Sequence, residues 1–124
     1  MRNLDHNKFS WETYNECVYF FIDYSGMTDL DVFNLSLISR KTIKEANLDS
    51  IRVLVDMRDM DISFSTLATL TQFSNENRSF ISKVAIINNL EKTEFFQQLY
   101  EQNSRVNEIT FSTKEEALAF LCAD

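Results

Sequence analysis

A chain of 124 residues with 44% hydrophobic content and eleven Phe has the size and apolar stock of one compact domain. Its formal net charge of −7 and pI near 4.7 argue against a nucleic-acid binder, which needs a basic stripe to release counterions. With no proline and a single glycine there is no linker or repeat, and neither a P-loop nor a dinucleotide fingerprint can form, since both need several glycines.

In chain order, "KFSWETY" (8–14) alternates Phe9 and Trp11 with polar residues and reads as an edge strand, joined through the "NE" turn at 15–16 to "CVYFFID" (17–23). The second run is continuously apolar, as are "IRVLVDM" (51–57) and "KVAIIN" (83–88), the pattern of central strands buried on both faces. "EITF" (108–111) is a shorter strand. Helical spacing of Leu30, Phe33, Leu37 and Ile38 predicts a helix over 29–46, with Thr28 as N-cap and Asp31 three residues on. Leu67, Leu70 and Phe73 mark a second helix over 65–77, and Phe95, Phe96, Leu99 and Tyr100 a third. A T-x-x-E capping box, Thr113 and Glu116, opens a last helix whose face carries Ala117, Leu118, Phe120 and Leu121.

The order β-β-α-β-α-β-α-β-α predicts an α/β domain over 1–124, with 1–7 a flexible tail. Its mixed four- to five-stranded sheet is largely parallel, with right-handed crossovers and helices packed mainly on one face. Two unequal helical layers are the alternative. No apolar run approaches the ~20 residues needed to cross a bilayer and "MRNLDHNKFS" has no apolar signal core, so no integral membrane association and a cytoplasmic location are expected. Cys17 and Cys122, far apart and without companions, read as free thiols buried at least in part; a redox pair is the functional alternative.

The stretch with chemical potential is "RVLVDMRDMDIS" (52–63), where Asp56, Asp59 and Asp61 follow an apolar run. An Asp-nucleophile phosphatase needs a second carboxylate two residues after the first, and Arg58 stands there. A receiver domain would use Asp56 but also needs an acid pair closing the first parallel strand and a lysine ending the last; Asp23 is alone and "EITFST" has no lysine. Nor does a calcium-loop spacing follow. The three aspartates therefore read as turn formers and helix-start charges. Ser63 and Ser65 both stand where the next helix begins, as N-caps or as phosphorylation sites. The only histidine, His6, falls in the tail, and Lys83, Arg105 and Glu108 read as solvated strand ends. No catalytic set, metal site or cofactor is expected, and the chain is read as non-enzymatic.

The element order, with "SIRVLVDMRDMDIS" leading into a helix, then "SKVAIIN" and "FSTKEEALAFL", resembles the STAS superfamily of bacterial anti-sigma factor antagonists. The closing phrase and "DYSGM" (23–27) are similar to the SpoIIAA-like, or STAS/SEC14-type, branch. The resemblance implies a switch serine at the start of the helix after the central strand, phosphorylated by a partner kinase. Counting from Asp56 places Ser65 there, with Phe64 where the family has aspartate, while Asp61 and Ser63 form a shifted match.

It further implies a regulatory or protein-binding domain whose partner is another protein, a kinase or regulator. Met27, Met57, Met60, Asp61 and Phe64 are then the expected interaction rim, unless the methionines and Phe64 plug the end of the core. A carrier of an apolar small molecule or lipid is the alternative, with Phe20, Phe21, Phe33, Phe73, Phe95 and Phe96 lining a cavity. A monomer is expected, or a weak homodimer through the edge carrying Phe9 and Trp11.

Overall fold

The computed structural model describes residues 8–60, 63–88 and 108–123. Outside them lie the tail 1–7 with His6, Asp61, the third predicted helix with Phe95, Phe96, Leu99 and Tyr100, and Arg105. Strands β1 (Phe9–Tyr14), β2 (Cys17–Asp23), β3 (Ile51–Asp56), β4 (Ile81–Ile87) and β5 (Glu108–Phe111) form one sheet in the order β1-β2-β3-β4-β5. β1 is antiparallel to β2, and every later pairing is parallel. The hairpin turn is tight because Asn15 and Glu16 take positive φ of 48° and 69°, the backbone a two-residue connection requires.

Among the described residues three helices accompany the sheet: α1 (Asp29–Ala46), α2 (Phe64–Asn77) and α3 (Lys114–Leu121). Each starts as its cap residue dictates. Thr28, Ser63 and Thr113 accept hydrogen bonds from the backbone N–H of Asp31, Thr66 and Glu116. Asn47 closes α1 in the left-handed conformation at φ 53°, donating its N–H to the Lys44 carbonyl.

Sequential parallel strands with right-handed crossovers put successive crossover helices on the same face, and α1 and α2 lie side by side there. They cover Phe20, Ile22, Val53, Val55, Val84 and Ile86. The helix after the last strand is no crossover and folds onto the opposite face, where Ala117, Leu118 and Leu121 cover Tyr19, Leu54, Ala85 and Ile87. Period-two alternation along β2, β3 and β4 thus serves two cores, which is why those strands read as continuously apolar. The described helices form two unequal layers.

Three expectations are corrected. In α1 the sheet-facing residues are Val32, Leu35, Ser36, Ser39 and Ile43, whereas the expected stripe of Leu30, Phe33, Leu37 and Ile38 is exposed. The helix is apolar on more than one side, and the buried Tyr24 hydroxyl, 2.6 Å from Ser36 Oγ, marks the side that faces inward. Burial holds the Tyr24 phenol well above its usual range, the Ser36 hydrogen bond opposing it in part.

The cysteines are the second. Cys17 and Cys122 form a disulfide with Cα atoms 5.7 Å apart across a sequence separation of 105, where free thiols were expected. The start of β2 and the end of α3 meet because α3 runs back along the sheet toward the amino ends of its parallel strands. Lys83 is not a solvated strand end either: its Nζ donates to the carbonyls of Phe120 (2.6 Å) and Ala123 (3.2 Å) beneath α3.

Candidate functional site

The carboxyl ends of β2 and β3 place Asp23 beside Asp56. The Asp56 carboxylate is buried and held by Arg58, which donates its backbone N–H (3.0 Å), Nε (3.0 Å) and Nη2 (2.7 Å) to it. Hydrogen bonding and charge from Asp56 raise the Arg58 guanidinium above its already high range, with Asp23 and Asp59 adding to the field. Asp23 is occupied by Ser25, whose N–H (2.9 Å) and hydroxyl (2.5 Å) both donate to it, and Asp59 turns the chain at φ 58°. Both strand-end carboxylates therefore organise turns. Among the described residues no group of three or more His, Cys, Asp or Glu could hold a metal ion.

These turns decide the fate of the expected rim. The Tyr24 N–H donates to the Asp56 carbonyl, Gly26 N–H to the Arg58 carbonyl and Met57 N–H to the Ile87 carbonyl, so backbone pairing continues past the strand ends. Met27, Met57 and Met60 are folded inward and buried with the α1–α2 core, so they offer no contact surface. Phe64 is exposed, and Asp61 lies outside the described residues.

Beside them the amino ends of α1 and α2 are tied together. Ser63 Oγ donates to Asp29 Oδ2 at 2.9 Å and accepts from Thr66 N–H, while the Thr66 hydroxyl donates to Asp29 Oδ1. Ser63 is thus the α2 cap and is engaged on both sides. Ser65, one position into the helix beyond Phe64, is exposed. Asp29 was not singled out in the sequence, where nothing marks it apart from its place in the first turn of α1.

From that end an apolar surface runs along α1. Leu30 is 66% exposed, Phe33 48% and Leu37 42%, and Phe64 on α2 is 69% exposed. Phe33 and Leu37 also border a groove of about 50 Å³ between the helices, opposite Phe73 and closed by the Arg40–Glu76 ion pair. Sequence reasoning missed this surface because it assigned the same residues to the core; the competing stripe of Val32, Leu35 and Ile43 was the available signal.

Arg40 Nη1 and the Gln72 amide both donate to Glu76, and the Arg40 bond is the main cause of a Glu76 carboxyl held below its usual range. Since the shift is downward, the pair stabilises the fold above the ordinary carboxylate range and that contribution is lost as pH falls through the Glu76 value. Arg40→Ala is expected to move the Glu76 titration upward, read by NMR of its side-chain carboxyl.

Among the described residues, the α1–α2 core offers the carrier alternative little room. The space enclosed beneath α2, near Tyr24, Leu70 and Phe73, is about 10 Å³, whereas small-molecule pockets run to about 300 Å³ and more. The aromatics named for it are dispersed: Phe20 and Phe73 pack in one core, Phe21 borders the other, and Phe33 faces outward. Phe95 and Phe96 lie outside the described residues. On the β1 edge, Phe9 and Trp11 pack their rings on Phe20, with centroids 6.1 and 5.0 Å away.

Comparison with known proteins fits this architecture. A solved structure from Shewanella loihica PV-4, an uncharacterized protein of the DUF3478 family described as having a SpoIIAA-like fold, superposes with a TM-score of 0.71 over 92% of each chain at 19% identity. The fold is SpoIIAA-like. No protein-family model matches the chain, and no curated protein matches it significantly. Within this SpoIIAA-like domain no described helix is long and apolar enough to cross a membrane.

Proposed function

We propose that the chain is a non-enzymatic regulatory or protein-binding domain of the STAS kind, acting in the cytosol on a partner protein such as a kinase or regulator. Its contact surface is the shared amino end of α1 and α2 with the outer face of α1. The observation that carries this reading is the exposure of Leu30, Phe33, Leu37 and Phe64 around the Asp29–Ser63–Thr66 cluster. Large apolar side chains gathered on one face mark interaction sites rather than ordinary surface.

Ser65 is the phosphoacceptor in this reading. Its exposed position at the start of α2 suits an added negative charge at a helix amino end. A phosphate on Ser63 would instead displace the cap and face the Asp29 carboxylate. Ser63→Ala is expected to lower stability by about 1 kcal/mol through loss of the cap.

Capture from a host lysate tests both parts. Wild type is expected to retain a partner that a Phe33→Asp/Phe64→Asp variant of unchanged circular dichroism loses. Ser65→Asp should weaken retention about tenfold, equivalent to roughly 1.4 kcal/mol. Equal retention by the apolar-face variant retires the surface, and equal retention by Ser65→Asp retires the switch.

A further inference from the structure

At the opposite end of the sheet, three positively charged or polarised elements converge on the disulfide. Arg52 on β3 and Lys83 on β4 are register neighbours, and both reach under the carboxyl end of α3. Arg52 Nη1 donates to the Leu121 carbonyl at 2.8 Å and lies 3.8 Å from Cys17 Sγ. Lys83 Nζ holds the Phe120 carbonyl and sits 4.4 Å above the Phe120 ring. Both cysteines are half-buried, so solvent reaches the pair.

We propose that Cys17 and Cys122 are a reversible dithiol–disulfide pair whose state sets how firmly α3 is held on the sheet. A cation beside a sulfur stabilises its thiolate, whereas the negative end of the α3 dipole disfavours one at Cys122. Cys17 is therefore the better leaving group, and an incoming thiolate attacks Cys122 Sγ. In the first step the bond from the attacking sulfur to Cys122 forms, the Cys17–Cys122 bond breaks, and the electron pair leaves on Cys17 beside Arg52. In the second, the other thiol of the dithiol reductant attacks its own mixed-disulfide sulfur and expels the Cys122 thiolate. One protein disulfide and one external dithiol become one protein dithiol and one external disulfide, with two electrons and two protons transferred. In a reducing compartment, disulfides of this kind are typically transient or redox-sensing.

The link matters for α3 because a helix of 8 residues does not persist alone. What remains after reduction is the contact of Ala117, Leu118 and Leu121 with the sheet and the carbonyl caps from Arg52 and Lys83. The amino end of the sheet thus carries a releasable clasp, independent of the surface around Ser65.

The test uses the full chain equilibrated in graded mixtures of reduced and oxidised dithiothreitol, trapped with iodoacetamide and read by intact mass and hydrogen exchange. Both cysteines should take label together as the buffer becomes reducing and lose that reactivity on re-oxidation. Amide exchange of residues 114–121 should rise about tenfold or more on reduction, with residues 51–56 unchanged. In the reduced chain Cys17 should alkylate with a pH midpoint below the ordinary thiol value of about 8.5; Arg52→Gln should raise it and Arg52→Lys preserve it. Two alkylatable thiols in fully oxidised dithiothreitol overturn the proposal, as does unchanged exchange in α3 on reduction or an ordinary Cys17 midpoint in wild type. The wild-type readings decide the matter even if an Arg52 variant does not fold.

Discussion

Cys122→Ser lowers the unfolding free energy by about 2–4 kcal/mol, the usual worth of a disulfide. The chain-entropy account gives about 4.7 kcal/mol for a loop of roughly 100 residues, and the separation of Cys17 and Cys122 is 105. Residual structure in the unfolded chain trims that figure. The serine itself costs little, since position 122 is half-buried at the end of α3. For a domain of this size the midpoint of thermal unfolding should fall on the order of 10 °C. Melting of wild type with and without reductant, beside the variant without it, checks this: reduced wild type and Cys122→Ser should coincide. A wild-type melting point indifferent to reductant removes the bond from the account of stability.

Leu35→Ala costs about 2–5 kcal/mol, because Leu35 is fully buried between α1 and the sheet and its removal leaves a cavity. Phe33→Ala, two residues away on the same helix, costs about 1 kcal/mol or less, since half of that ring already faces solvent. Urea unfolding of the two variants with a common slope measures the difference. The pair reads out which way α1 is rotated. If Phe33→Ala proves the more damaging, the helix buries the stripe that its sequence spacing suggests, and the apolar surface beside Ser65 disappears with it.

The strands were legible because their signals are local. Five apolar segments of the right length and punctuation appear where β1 to β5 lie, and the Asn15–Glu16 turn falls between the first two. Helix starts were legible for the same reason: Thr28, Ser63 and Thr113 cap through atoms three residues away. Arg58, the residue that breaks the phosphatase spacing in "RVLVDMRDMDIS", grips Asp56 at short range. Rotation of α1 was not legible, because a helix apolar on two sides gives two stripes of similar quality. The burial of Met27, Met57 and Met60 was one of two readings the sequence left open, and it is decided by backbone bonds between turns that follow different strands.

The amino-acid sequence by itself therefore determined the described strands and helices and their caps, which follow from periodicities and side-chain bonds spanning a few residues, while the resemblance of its motifs to the SpoIIAA-like branch implied the fold that the comparison shows. Only the tertiary structure decided what stands at the two ends of the sheet. At one end it tied Ser63 to Asp29, left Ser65 and Phe64 exposed and turned Phe33 outward. At the other it joined Cys17 to Cys122 under Arg52 and Lys83. These pairings link residues 34 or more positions apart, and no local pattern encodes which distant partner a side chain will meet once the sheet has closed.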